Sequence, residues 1–158
     1  MKIFEGTLFF QSMTVDLIKL VVGIDTLEDF AKWQSTEVHE YDGMSANVIY
    51  TRNRPRQEDE ILSSGGSAYR VIKGKIRCRQ EIIGFDDYLG SDGKKRCIIF
   101  MKPEIIETYH VPHRPFQGWR YLKNENRPKD VGLYKTGKKN EQSMPAELAA
   151  ELREAGLL

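Results

Sequence analysis

Lys73, Lys75, Arg77 and Arg79 alternate with Ile72, Gly74, Ile76 and Cys78. Successive side chains of a strand point to opposite faces, so this spacing predicts four cations on one face and small or apolar groups on the other. Residues 68–80 hold five basic side chains, Arg70 being the fifth, and no acidic one. Cations at every second position lie roughly 6.6 Å apart, comparable to successive phosphates on an extended single strand. A row of this kind would neutralise phosphates whatever the base sequence, and its affinity would fall with added salt. Gly74 breaks the row, as either a bulge or a sharp bend. A bulge would shift the phase and separate Lys73 from the other three. The competing explanation is an exposed strand that its lysines protect from edge pairing.

Two further clusters carry the same chemistry. Arg52, Arg54 and Arg56 follow an extended segment, with Pro55 between them and Glu58, Asp59 and Glu60 close enough in sequence to pair with them. Residues 113–121 combine Arg114 and Arg120 with Phe116, Gln117, Trp119 and Tyr121. Aromatic faces stack on bases, and guanidinium groups bind phosphate or stack in their turn. The alternative is a loop that folds back so that Phe116 and Trp119 cap a core with the arginines lying over them. Taken together, the expected nucleic-acid-binding set is Arg52, Arg54, Tyr69, Arg70, Lys73, Lys75, Arg77, Arg79, Arg114, Gln117, Trp119 and Arg120.

Catalytic patterns are sparse. Ser63-Ser64-Gly65-Gly66-Ser67 lacks the spacing of a nucleophile elbow, and neither a P-loop nor a dinucleotide glycine pattern is present. His110 and His113 lie in a proline-containing extended stretch and Cys78 and Cys97 are isolated, so no metal site and no cofactor are expected. Lys73 beside Glu81 or Glu60 is the one arrangement that would activate a base or nucleophile.

These residues must be held by a domain of modest size. The chain has 158 residues, 40% apolar and 30% charged, which suits one globular core and excludes wholesale disorder. No apolar run approaches the roughly 20 residues of a membrane-spanning helix. Two cysteines make no disulfide framework, so a soluble cytoplasmic protein is expected. The net charge of +1 hides an asymmetry: residues 1–43 balance at −5 and residues 44–158 at +6. One region can therefore attract a polyanion or an acidic protein while the whole stays near neutral.

Residues 1–12 run into Met13 and resemble an expression leader or mis-start, with a genuine first strand as the alternative, and they are set aside. Strands are predicted at 15–22, 46–51, 68–84, 96–101 and 105–111, with a hairpin turn at Asp92-Gly93. Thr26 caps an amphipathic helix over 27–39, and residues 58–62 supply one or two helical turns. Residues 123–143 are polar and predicted to be a mobile connector before a closing helix at about 145–155. The predicted architecture is α+β, with a small curled mixed or antiparallel β-barrel over 13–122 and flanking helices.

Asp16-Leu17-Ile18-Lys19-Leu20, the run from Gly65 to Gly74, Arg77-Cys78-Arg79-Gln80 and Arg114-Pro115-Phe116-Gln117-Gly118-Trp119-Arg120-Tyr121 resemble the signature segments of a domain-of-unknown-function family, number 1489. That family is bacterial and mainly alphaproteobacterial, and the resemblance implies no activity. More loosely, Thr51-Arg52, Pro55, the acidic turn and Gly-Gly-Ser-Ala-Tyr-Arg-Val-Ile-Lys-Gly are similar to PUA-like barrels of the ASCH branch. That likeness implies an RNA or modified-base cleft. In members that hydrolyse acetylated cytidine, a lysine, a threonine and a glutamate do the work, and Lys73, Thr51 and Glu81 are the nearest candidates here. The expected function is a non-catalytic RNA or single-stranded nucleic-acid module. A hydrolase of modified nucleosides and a protein-interaction module are the alternatives.

Overall fold

The computed structural model describes residues 13–135 together with Glu154 and Gly156. The first aliphatic run forms β1 (Asp16–Leu20), whose centre is buried. Thr26 then adopts an extended backbone and its hydroxyl accepts the Asp29 N–H at 3.1 Å, which satisfies one orphan donor of α1 (Leu27–Thr36). Leu27, Phe30, Ala31 and Gln34 recur at helical spacing and are the buried face. The helix predicted to reach residue 39 stops at Thr36. Asp42 and Gly43, at φ +50° and +77°, make a tight two-residue turn that draws β2 (His39–Tyr41) against β3 (Met44–Thr51).

Pro55 precedes α2 (Glu58–Ser64), which Gly65 terminates in the left-handed conformation. The remaining elements are β4 (Ser67–Ile72), β5 (Lys75–Leu89), β6 (Lys95–Met101), β7 (Ile106–Pro112), β8 (Trp119–Leu122), a 3-10 turn (Asn124–Asn126) and β9 (Asp130–Leu133). Within the predicted connector, residues 123–135 hold the 3-10 turn and β9, which pairs antiparallel with β7, and its remainder, 136–143, lies outside the described residues. The predicted leader and nearly all of the closing helix lie outside the described residues.

The strands make one mixed sheet in the order β2-β3-β6-β5-β4-β1-β8, with β7 joined to β5 and β9 to β7. Among the described residues, only β1 and β4 run parallel. The architecture is α+β, but the sheet is open rather than a closed barrel: its terminal strands β2 and β8 do not pair with each other among the described residues. β5 belongs to two halves of the sheet. Its first part pairs with β4 and β7, and from Ile82 onward it pairs with β6, across a register shift between Ile82 and Gly84.

Both faces of the first half are covered. One carries Leu17, Ala68, Ile82, Ile99 and Met101 against Ile61 of α2, continuing into Val21, Ile72 and Cys78 against Leu27 and Phe30 of α1. The other carries Ile18, Tyr69, Val71, Ile76 and Leu122, with Val111 and Phe116 packed on them.

Gly66 fixes the approach of α2 to β1, since a Cβ there would meet the Val15 carbonyl and the Ile61 side chain. Gly74 is different, with open space around it but a φ of +79°. Gly74→Ala should cost only the left-handed penalty, about 1–2 kcal/mol. Gly66→Ala must displace backbone and should cost more, about 3 kcal/mol, in the range of overpacked cores. Urea denaturation of the two variants checks the order.

Candidate functional site

The four alternating cations do not share a face. Lys73 and Gly74, at φ +50° and +79°, are the turn of the β4–β5 hairpin, so Lys73 sits exposed at its tip. Lys75 is opposite Ile72 and half-buried. Arg70 then pairs with Cys78 but Val71 with Ile76, which leaves Arg77 as an extra residue in β5. An inserted residue reverses the alternation beyond it. Ile76 accordingly packs with Ile18 and Tyr69, whereas Cys78, two positions on, packs with Ile72 and Phe30 on the opposite face. Arg79 is opposite Tyr69, and Arg77 is only 9% exposed. The predicted single cationic face is corrected by this bulge and by the hairpin turn.

Several of the expected cations are structural. Arg70 is 4% exposed, lies 5.3 Å from the Phe30 ring centroid, and donates to the Lys19 and Leu20 carbonyls at 3.3 Å. Burial pulls its pKa down to about 10, and it has no route to a phosphate. Arg54 donates twice to Glu58 at 2.9 Å and once to Asp87 at 3.1 Å, so its pKa is raised. Lys95 first and Arg54 second hold the Asp87 carboxyl below its ordinary value. Arg79 forks onto both oxygens of Asp130 at 2.9 and 2.7 Å and reaches the Ser67 hydroxyl at 2.8 Å.

Two of the expected clusters do meet. Trp119 Nε1 donates to the Asn53 carbonyl at 2.8 Å, and the Gln57 N–H donates to the Tyr121 hydroxyl at 3.1 Å. The loop at 52–57 is thereby held against β8. Trp119 and Tyr121 sit edge to face at 5.0 Å between centroids. Trp119 is half-buried against the core, while Tyr121 is 39% exposed. Arg52 and Arg56, next in sequence to the anchored Asn53 and Gln57, are exposed and have no carboxylate partner among the described residues. Arg120, opposite Ile18, lies on the other face, with its guanidinium 5.3 Å from the Phe116 ring. Arg114 and Gln117 are exposed in the preceding loop.

Thr51, Lys73 and Glu81 are not brought together. Thr51 is buried and pairs with Cys97 on the β3–β6 side. Lys73 is at the hairpin tip, and Glu81 lies six residues beyond the start of β5, about 20 Å along the strand. Glu81 is instead paired with Lys102 at 2.8 Å. Glu60, the other partner considered for Lys73, lies on the exposed side of α2.

Sequence reasoning missed a polar cleft of about 570 Å³ on the Tyr69 face of the sheet. Its floor is Asp16, Ser67, Tyr69, Arg79 and Glu81, from β1, β4 and β5, and its wall is the segment from Asn124 to Asp130. Asp16 is 2% exposed and accepts the Ser67 N–H at 2.8 Å and the Thr14 hydroxyl at 2.5 Å. Arg127 stands 3.8 Å from the same carboxylate and donates to Thr14 Oγ1 at 2.8 Å. A lone carboxylate within a buried aliphatic strand is the available signal, but its cationic partner, Arg127, lies in the stretch predicted to be a connector.

Among the described residues, no group of three His, Cys, Asp or Glu could hold a metal, and no helix is long and apolar enough to cross a membrane. The family model described as Protein of unknown function (DUF1489) matches residues 17–158. The chain belongs to this family. Neither a curated protein nor a solved structure matches it. Membership in DUF1489 carries no activity with it, so function rests on the geometry.

Both cysteines of this DUF1489 chain are buried, and burial pushes the Cys78 thiol up to about 12 and the Cys97 thiol to about 11. Burial, and then the Asp16 charge, pushes the Tyr69 phenol up to about 12. Each folded value is raised above the ordinary one, so the fold favours the neutral form. That stabilisation is complete below the ordinary pKa, about 8.5 for a thiol and about 10 for a phenol, and is lost as pH rises through 11 to 12. The urea midpoint should be level from pH 7 to 8 and lower at pH 10.5, with a shallower fall in Cys78→Ala. At pH 8 neither thiol should react with Ellman's reagent until denaturant is added.

Proposed function

We propose that the protein is a non-catalytic module that binds single-stranded nucleic acid, RNA in the first instance, along the junction of the 52–57 loop with β8. The observation that carries this is the pair of hydrogen bonds from Trp119 to Asn53 and from Gln57 to Tyr121, which ties the loop that bears Arg52 and Arg56 to the strand that bears an exposed ring. Arg52 and Arg56 supply charge not already committed to a carboxylate, which is what a phosphate requires. Tyr121 supplies the stacking surface, while Trp119 acts as the anchor that sets the loop. The order of roles is set by burial: the more buried ring positions, the more exposed ring stacks. Arg114 and Arg120 extend the positive surface around the edge strand. Lys73 and Lys75, at the far end of the hairpin, are peripheral, and Arg70 and Arg79 serve the fold and the cleft.

Fluorescence anisotropy with a labelled 12-nucleotide RNA, titrated at several salt concentrations, tests this. Two phosphate contacts give a slope of log affinity against log salt near −1.4, about −0.7 for each contact on a single strand. Arg52→Ala and Arg56→Ala should each flatten the slope by about 0.7. Tyr121→Ala should weaken binding by about 1–3 kcal/mol, the worth of one stacked base. Lys32→Ala, on the outer face of α1, is the control and should change nothing. Salt-independent binding, or equal losses in the control, would refute the junction as the contact surface.

A further inference from the structure

The cleft on the Tyr69 face lies apart from the junction at β8, since Tyr121 is opposite Leu17, on the other face of the sheet from Ile18 and Tyr69. Its lining charges cancel: Asp16, Glu81 and Asp130 stand against Arg79, Arg127 and Lys129. The strongest of them are already joined, Arg79 to Asp130 through two hydrogen bonds and Arg127 to Asp16 at 3.8 Å. An anion entering here would have to take Arg79 from a carboxylate that holds it in bidentate geometry, and it would gain little. A neutral ligand need not break those pairs, because Arg79 keeps further N–H groups and Glu81, joined to Lys102 at 2.8 Å, keeps further lone pairs.

A second observation points to a ligand. Tyr69 is 3% exposed, lines the cleft, and its hydroxyl makes no hydrogen bond among the described residues. That hydroxyl is not one of the sealed-off polar atoms of the described residues: it opens into the cleft, where a ligand group can take the place of solvent. With its pKa pushed up to about 12, the phenol is protonated at neutral pH and offers both a donor and an acceptor. Around it, carboxylates accept, guanidinium groups donate, and the Ser67 hydroxyl does either. Adjacent donors and acceptors at this density match paired hydroxyl groups, each of which gives one proton and accepts another. A volume of about 570 Å³ is within the range of small-molecule sites and exceeds what single ions need.

We infer that this cleft binds an uncharged small molecule bearing vicinal hydroxyl groups, held by Tyr69, Arg79 and Glu81 on the sheet and enclosed by the Asn124–Asp130 wall. The shared chemistry is the diol, which either a free sugar or the ribose of a nucleoside presents.

Two-dimensional NMR of the labelled protein, titrated to millimolar concentrations with adenosine, 2′,3′-dideoxyadenosine, adenosine 5′-monophosphate and sucrose, tests the inference. Adenosine, sucrose or both should shift the amide signals of residues 67–69 and 79–81. The two source arms separate ribose from free sugar, and either one supports the diol. Dideoxyadenosine should bind at least fivefold more weakly than adenosine if adenosine binds, as one or two lost hydrogen bonds require. Tyr69→Phe keeps the ring in the core and should weaken the bound diol about fivefold. Its folded state is checked by unchanged signals of α1. The monophosphate binding more tightly than adenosine, dideoxyadenosine matching adenosine, or no diol perturbing the cleft signals would each overturn the inference. RNA binding lost in Arg52→Ala, with cleft shifts retained, would separate the two sites.

Discussion

One inserted residue governs where this protein presents its charge. Arg77 has no counterpart in β4, and the side chains from Cys78 to Ile82 are on the face opposite to the one an unbroken strand would give them. Without the insertion, Ile76 and Cys78 would share a face; with it, each enters a different cluster and both faces of the hairpin gain an apolar centre. The same step brings Arg79 beside Tyr69 in the cleft. A strand that seems on paper to be a row of cations is thus a packing element that distributes them.

The carboxylates complete that distribution. Arg54 is bound by Glu58 and Asp87, Arg79 by Asp130, and Arg70 is enclosed under α1 against Phe30. Such pairs contribute little to stability where they are exposed, yet they remove cations from the supply open to a polyanion. Arg52 and Arg56 in the loop held against β8, and Arg114 and Arg120 around that strand, have no carboxylate partner among the described residues. The molecule therefore has a small basic edge and a charge-balanced hollow rather than one long groove.

Local signals were legible in the sequence. Thr26 announced its helix through the cap it makes, Asp92-Gly93 announced a hairpin, and the aliphatic run after Met13 announced β1. The halves of the 68–84 run were harder, because Lys73-Gly74 fits a bend or a bulge equally well and only pairing across the hairpin decides. Barrel closure was not legible at all, since it depends on whether terminal strands meet. The cleft was concealed for another reason. Asp16, Arg79 and Asp130 are far apart in the chain, and the polar composition of residues 123–133 describes a linker as well as it describes a strap held down by ion pairs.

The position of β1 between β4 and β8 bears on how the chain acquires its shape during synthesis. β1 meets its first neighbour about 50 residues later, where Ser67 N–H reaches Asp16 across a separation of 51, but the bond from Arg127 to Thr14 spans 113. The entropic toll of closing such loops rises slowly with their length, whereas rates fall as contacts become more distant. A nascent chain on the ribosome can therefore seat β1 against the β4 hairpin early, while its other edge faces water until β8 emerges. Of the described strands, the first to leave the tunnel is among the last to be fully enclosed.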